Sequence, residues 1–143
     1  MGLLKEGKYQ VVFPSHIKYL HEIEQLTTEI TKELNFTEED RDDLSIVITE
    51  LFNNALHHGN RDDESKKIVI TFKVINKGLQ ISVQDEGQGF RREKIRNPLA
   101  KENILKTSGR GLFLVEQLVD KISYNISSKG SEIIVFKKFS KLN

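Results

Sequence analysis

Two adjacent segments with period-two alternation constrain the fold more than any other part of the sequence. The segments KIVITFKVI and LQISVQ alternate apolar and polar residues, and only NKG separates them. Such alternation predicts strands with one buried face, and so short a linker joins them as an antiparallel hairpin. Near the C-terminus, ISYNIS and SEIIVFKKF flank SKG in the same way. The chain is therefore predicted to contain a largely antiparallel sheet.

Helical spacing of apolar residues predicts three helices around these strands. A first strand, KYQVVF, ends at Pro14, and Ser15 is positioned to cap the first helix. The second helix is predicted over residues 38–58, with Gly59 as a left-handed terminator. The third is predicted over residues 110–119. Helices and strands segregate along the chain, which predicts an α+β two-layer sandwich with a mixed, mostly antiparallel sheet and three main helices on one face.

Composition limits the classes of function. A chain of 143 residues without an internal repeat or linker is predicted to form a single domain over residues 1–143. Its net charge of +1 lacks the basic character of a nucleic-acid-binding surface, and it has no cysteine for disulfides or thiolate chemistry. No apolar run approaches the roughly 18 residues of a membrane span. We expect a cytoplasmic protein with no direct nucleic-acid or membrane partner.

Polar residues interrupt the second helix in the stretch TELFNNALHHGN. At about 100° per residue, Glu50 and Asn54 lie together at the edge of the apolar arc. His57 falls near Glu50, whereas His58 is predicted to project into the apolar arc. The diverging histidines make a poor metal site. For Glu50 and Asn54, a solvated helix edge and a ligand pocket both remain open.

The segment LQISVQDEGQGF extends a core-facing row of side chains with a carboxylate. Asp85 shares the strand face of Leu79, Ile81 and Val83, and a buried charge needs a partner. Gly87 and Gly89 then allow something to approach the backbone closely. A simple turn capped by the aspartate is the alternative interpretation.

Two glycines stand at the start of the third helix, in TSGRGLFLVEQLV. The unpaired N–H groups of a helix N-terminus bind anions, and Gly109 and Gly111 would let a phosphate approach them. A glycine hinge at the helix start is the alternative. The pattern matches neither the Walker nor the Rossmann fingerprint.

Taken together, ELFNNALHHG, DEGQGF and SGRGLFL resemble the N, G1 and G2 boxes of the GHKL (Bergerat-fold) ATPases in order and spacing. The strands and helices predicted around them extend the resemblance over nearly the whole chain. Within that superfamily, the chain most resembles the small anti-sigma-factor serine/threonine kinases. Their E-x-x-x-N-A-x-x-H-G form of the first box is present at residues 50–59.

The resemblance implies a role for each matching residue. Asn54 would bind the Mg²⁺ that bridges the phosphates of ATP, and Glu50 would act as general base toward the attacking hydroxyl. Asp85 would accept a hydrogen bond from the adenine amino group. Residues 91–108 would form a lid over the nucleotide. The remaining cofactor-binding residues implied by the boxes are Gly87, Gly89, Ser108, Gly109, Arg110, Gly111 and Leu112.

The resemblance also implies partners. The protein would phosphorylate Ser or Thr on a small STAS-type anti-sigma-factor antagonist and would bind a sigma factor, as a homodimer. The alternative is an ATP-binding regulatory module whose nucleotide state controls a protein partner without phosphorylating it. The presence of Glu50 favours the kinase, because binding alone does not require a base.

Overall fold

The computed structural model describes Leu4, residues 6–87 and residues 110–140. Within these residues the chain forms five strands and three α-helices, together with a 3₁₀ turn and a π-helical turn. Their bounds are β1 Lys8–Pro14, the 3₁₀ turn Ile17–Tyr19, α1 Leu20–Glu33, α2 Glu38–Asn53, the π turn Asn54–Gly59, β2 Lys67–Ile75, β3 Gly78–Gln84, α3 Arg110–Leu118, β4 Lys121–Ser127 and β5 Gly130–Lys138.

The five strands form one sheet in the order β1-β2-β3-β5-β4. All pairings in the described part of the chain are antiparallel, including both predicted hairpins. In the β2–β3 hairpin, Ile75 pairs with Gly78, and the two residues between them, Asn76 and Lys77, have φ of 46° and 61°. Positive φ at both central positions is the type I′ geometry that matches the twist of the strands. The predicted α+β two-layer fold is confirmed.

Helices cover one face of the sheet. Alternate strand residues point toward them, as the pairs Phe72–Ile81 and Ile81–Val135 show across three strands. These side chains share one buried core with apolar residues of α1, α2 and α3. Because α2 contacts both α1 and α3, its residues lie at the centre of the helical layer. The core therefore fixes α2 and the start of α3 relative to the sheet.

The start of the first helix differs from the sequence prediction. His16, not Ser15, caps the 3₁₀ turn, since its Nδ1 accepts a hydrogen bond from the Lys18 N–H. Ser15 is buried and donates from its hydroxyl to the Lys66 carbonyl at 2.7 Å. Ser15 does not cap the turn because its hydroxyl is hydrogen-bonded to a residue just before β2.

Candidate functional site

The site begins where α2 changes its winding. The predicted helix over residues 38–58 is α-helical only to Asn53, and Asn54–Gly59 completes it as a π turn. Gly59 does not have the predicted left-handed conformation; Arg61 and Asp62 take positive φ instead. A side chain at position 59 would overlap the carboxylate of Asp85. Gly59 is required here for close packing, and it brings the end of α2 directly against the end of β3.

Asp85 is 3% exposed and its carboxylate is hydrogen-bonded within the chain. Oδ1 accepts from the backbone N–H groups of Gly87 and Ser131, both at 3.1 Å, and Oδ2 accepts from the Ser131 hydroxyl at 2.8 Å. A carboxylate offers about four acceptor positions, and the described residues fill three of them, which leaves one for a further donor. The sequence predicted that this buried carboxylate needs a partner, and Ser131 is that partner within the chain.

Burial raises the pKa of the Asp85 carboxyl above its ordinary value, and it outweighs the hydrogen bonds from Ser131 and Gly87, which act in the opposite direction. Titratable groups with raised pKa values are concentrated at functional sites, although structural networks produce them too. Here the carboxylate lies at the end of a core-facing strand, within a group of closely packed backbone segments. The arrangement is a rigid acceptor with one unused position.

A buried amide fixes the backbone that follows Asp85. Asn60 is fully buried, and its Nδ2 donates to the Ser15 hydroxyl at 2.7 Å and to the Lys67 carbonyl at 3.0 Å. Its Oδ1 accepts from the Glu86 N–H at 2.8 Å. Asn60 thus joins three chain segments at the point where Gly87 packs so closely on Gly59 that a side chain at 87 would overlap the Gly59 carbonyl.

Glu50 and Asn54 lie in a small cavity between α2 and α3. The cavity has a volume of about 80 Å³, and α3 contributes Gly111 and Leu112 to it. The Glu50 carboxylate lies so close to Gly111 that a side chain there would overlap Oε2. The fold therefore places the acid and the amide of the first motif against the first turn of the helix that begins the third motif. The cavity wall is completed by Asn53, His57 and His58.

His58 does not pack into the core as predicted. Both histidines are exposed, and His57 Nδ1 lies 2.8 Å from Asp62 Oδ1. The prediction assumed an α-helical step of 100° per residue, and the wider π turn changes that step. The histidines line the outer wall of the cavity instead.

Several predicted site residues lie outside the described residues, namely Gly89, Ser108, Gly109 and the proposed lid at 91–108. Arg110 is the first residue of α3. Leu112 is buried and contributes to both the cavity and the core.

Three residues that contribute to the site were not predicted from the sequence. Ser131 binds Asp85, Asn60 binds the next backbone segment, and Asn53 turns its side chain into the cavity wall. Asn53 and Asn60 belong to the quoted polar stretch of α2, which was the available signal. Ser131 gave no signal, because a serine at the start of a strand is ordinary.

The chain belongs to the histidine kinase-like ATPase domain family, whose model matches residues 13–137. It is similar to the serine-protein kinase RsbW of Oceanobacillus iheyensis, with 31% identity over 67% of this chain and 65% of that protein. It is also similar to the anti-sigma F factor of Clostridium perfringens strain SM101, with 32% identity over 76% of this chain and 79% of that protein.

Solved structures show the same fold. A Mycobacterium tuberculosis protein with RsbU and RsbW domains matches 94% of this chain and 33% of its own length, with a TM-score of 0.69 and 18% identity. The catalytic domain of the histidine kinase ThkA matches 91% of this chain and 97% of its own length, with a TM-score of 0.56 and 21% identity.

Within residues 6–87 and 110–140, every helix is too short or too polar to cross a lipid bilayer.

Proposed function

We propose that this protein is an ATP-dependent serine/threonine kinase that acts as an anti-sigma factor and phosphorylates a small anti-sigma-factor antagonist. The observation that carries the proposal is the position of Glu50 beside Asn54 and Gly111, at the junction of α2 and α3. A carboxylate there lies next to the helix N-terminus where phosphates bind. Family membership and the names of the related proteins support the same activity.

In this proposal ATP binds with its base toward Asp85 and its phosphates toward α3. The unused acceptor position of Asp85 takes the adenine amino group, and Ser131 and Gly87 hold the carboxylate in place. Backbone N–H groups at the start of α3 face the phosphates. Gly59 and Gly87 let the backbone pack closely beside the Asp85 carboxylate, where a side chain at either position would overlap its neighbours.

The Glu50 carboxylate then accepts the proton of the attacking Ser or Thr hydroxyl. As that hydroxyl oxygen forms a bond to the γ-phosphorus, the bond to the β–γ bridging oxygen breaks and ADP leaves. Phosphoryl transfer depends mainly on positioning and charge stabilisation. One general base on a rigid helix is therefore enough to accept the proton in this reaction.

A Mg²⁺ ion fits the residues present. The described residues contain no group of three or more His, Asp or Glu side chains that could hold a metal by themselves. Mg²⁺ in phosphoryl-transfer sites is held by one or two protein oxygens and by the phosphates, while keeping several waters. The amide oxygen of Asn54 would supply such a ligand, and the bound ion would neutralise phosphate charge.

We further propose a cytoplasmic protein that binds a sigma factor and works as a homodimer. Release of the sigma factor would follow the phosphorylation state of the antagonist. Among the described strands β1 lies at an edge of the sheet, and none of them pairs with its outer backbone groups, which supports pairing with a second copy.

Labelled ATP tests the proposal. We expect transfer of the γ-phosphate to Ser or Thr of a cognate antagonist, and we expect Glu50→Gln to slow it about 10²- to 10⁴-fold, the usual contribution of a general base. ATP affinity should stay within about twofold, because Glu50 contacts the proton rather than the nucleotide.

Glu29→Gln is the matched control, since Glu29 is an exposed carboxyl on α1. Its transfer rate should equal that of the wild type. ATP binding without transfer to any antagonist encoded in the same genome would refute the kinase and favour a regulatory module. Absence of ATP binding would refute the site itself.

A further inference from the structure

One buried polar atom at the site lacks a partner. Asn53 Oδ1 is inaccessible to solvent and accepts no hydrogen bond within the described part of the chain. A second such atom, the Tyr124 hydroxyl, lies on β4 and away from the cavity. Buried polar atoms are almost always satisfied in folded proteins, so an exception at a functional cavity calls for a ligand.

The position of Asn53 defines what that ligand must be. Asn53 is the last residue of α2 and lies in the same cavity wall as Glu50 and Asn54. An amide oxygen accepts hydrogen bonds and binds cations, and it repels the oxygens of a phosphate. The missing partner is therefore a cation or an N–H or O–H donor, and a cation is what the proposed function requires at this end of the site.

We propose that Asn53 is a second amide of the cation subsite, with its Oδ1 binding the metal ion or one of the water molecules that the ion retains. The inference rests on the proposed function, because ATP brings the ion into the cavity. Asn54 and Asn53 are adjacent at the change from α-helix to π turn, and both lie in the cavity wall.

The unpartnered oxygen also predicts an effect without nucleotide. A buried acceptor with no donor destabilises the free protein, and a ligand that supplies the donor removes that penalty. Asn53→Leu should therefore melt at the same temperature as the wild type or higher when no ligand is present. Its melting temperature should rise less than that of the wild type when a metal–nucleotide complex is added.

Metal binding can be measured directly, with Mn²⁺ as the ion and a non-hydrolysable ATP analogue as the nucleotide. The free Mn²⁺ signal in electron paramagnetic resonance reports how much ion the protein–nucleotide complex holds. Residues that support a metal through its outer shell contribute about 10- to 100-fold in affinity. We expect Asn53→Ala and Asn53→Leu to weaken Mn²⁺ binding about 10-fold, and Asn53→Asp, which keeps an oxygen, to restore it.

Two controls separate this inference from the proposed function. Asn125→Ala removes an exposed amide on β4 and should bind Mn²⁺ as the wild type does. Asn54→Ala should weaken binding at least as much as Asn53→Ala. If the wild-type complex holds no Mn²⁺, the metal-dependent part of the proposed function is wrong.

If the wild type and Asn54→Ala behave as expected but Asn53→Ala binds Mn²⁺ normally, only the role of Asn53 is refuted. A lower melting temperature of ligand-free Asn53→Leu would also overturn it, because the oxygen would then have a structural partner. Asn53→Ala provides the binding measurement if the leucine variant does not fold.

Discussion

The two ends of the candidate site are built differently. At the proposed adenine end, Ser131 donates to Asp85, and Asn60 bonds Ser15, Lys67 and Glu86, all at distances between 2.7 and 3.1 Å. At the proposed phosphate end, Asn53 Oδ1 accepts no hydrogen bond from the described residues, and Glu50 lies against the first turn of α3. Both Asp85 oxygens at the adenine end already accept hydrogen bonds within the chain, whereas at the phosphate end a buried oxygen accepts none from the described residues.

This difference matches the two parts of the proposed ligand, the adenine ring and the phosphates with their metal ion. An adenine ring that is recognised by its shape and one hydrogen bond benefits from a rigid acceptor, because little conformational freedom is lost on binding. Under the proposed function, a bound metal ion would satisfy the unpaired oxygen at the phosphate end, so that end can leave the oxygen unpaired in the free protein. Substitutions at matching positions of the two ends should therefore have opposite effects on the stability of the free protein.

The largest effect is expected from Gly87→Ala. Its methyl group would overlap the Gly59 carbonyl, and backbone cannot move aside as a side chain can. We expect a loss of about 3 kcal/mol in the free energy of unfolding, the upper range for overpacking. Denaturant unfolding measures the change.

Gly111→Ala is the matched substitution at the phosphate end. Its methyl group would meet only the end of the flexible Glu50 side chain, and alanine favours helix over glycine by up to about 1 kcal/mol. Stability should be unchanged or slightly higher. A loss as large as that of Gly87→Ala would show that the phosphate end is packed as tightly as the adenine end.

A smaller effect is expected from Asn60→Ala. The substitution leaves the Glu86 N–H and the Lys67 carbonyl without their partner, at a cost of about 2 kcal/mol. Thermal and denaturant unfolding measure it. Asn53→Ala, the same change at the phosphate end, should not lower the stability of the free protein. Equal losses for both variants would remove the distinction between the two ends.

The smallest change in stability is expected from Asp85→Asn. Asparagine keeps one acceptor oxygen and removes a buried charge, so the free energy of unfolding near pH 7 should change by less than about 1 kcal/mol. ATP affinity should nevertheless fall about 10- to 100-fold, because a hydrogen bond to a charged group is lost. Titration with ATP measures this loss.

The same variant tests the raised pKa of Asp85. The folded protein binds the proton more tightly than the unfolded chain, so wild-type stability should fall as pH rises from about 3.8, the ordinary value, through the raised pKa. Asp85→Asn should lack this contribution. Asp42→Asn, at an exposed carboxyl on α2, should keep the wild-type pH profile. Identical profiles for the wild type and Asp85→Asn would show that the pKa is not raised.

The sequence alone determined the elements and the three motifs. Period-two alternation predicted β2 and β3, the linker between them predicted their hairpin, and helical spacing predicted α2. These patterns are local, because each reflects which face of one element is buried. The motifs placed Glu50, Asn54, Asp85 and Gly111 in one candidate site, and the fold brings the first two against Gly111.

Tertiary structure decided how that site is held together. Asn60 meets residues 45 and 26 positions away along the chain, and Asp85 meets Ser131 at a separation of 46. Such partners are chosen by the packing of whole elements, as is the π turn that exposes His58 and the need for glycine at position 59. Local patterns specify which face of an element is buried, but only the assembled core specifies which distant backbone groups lie beside that face.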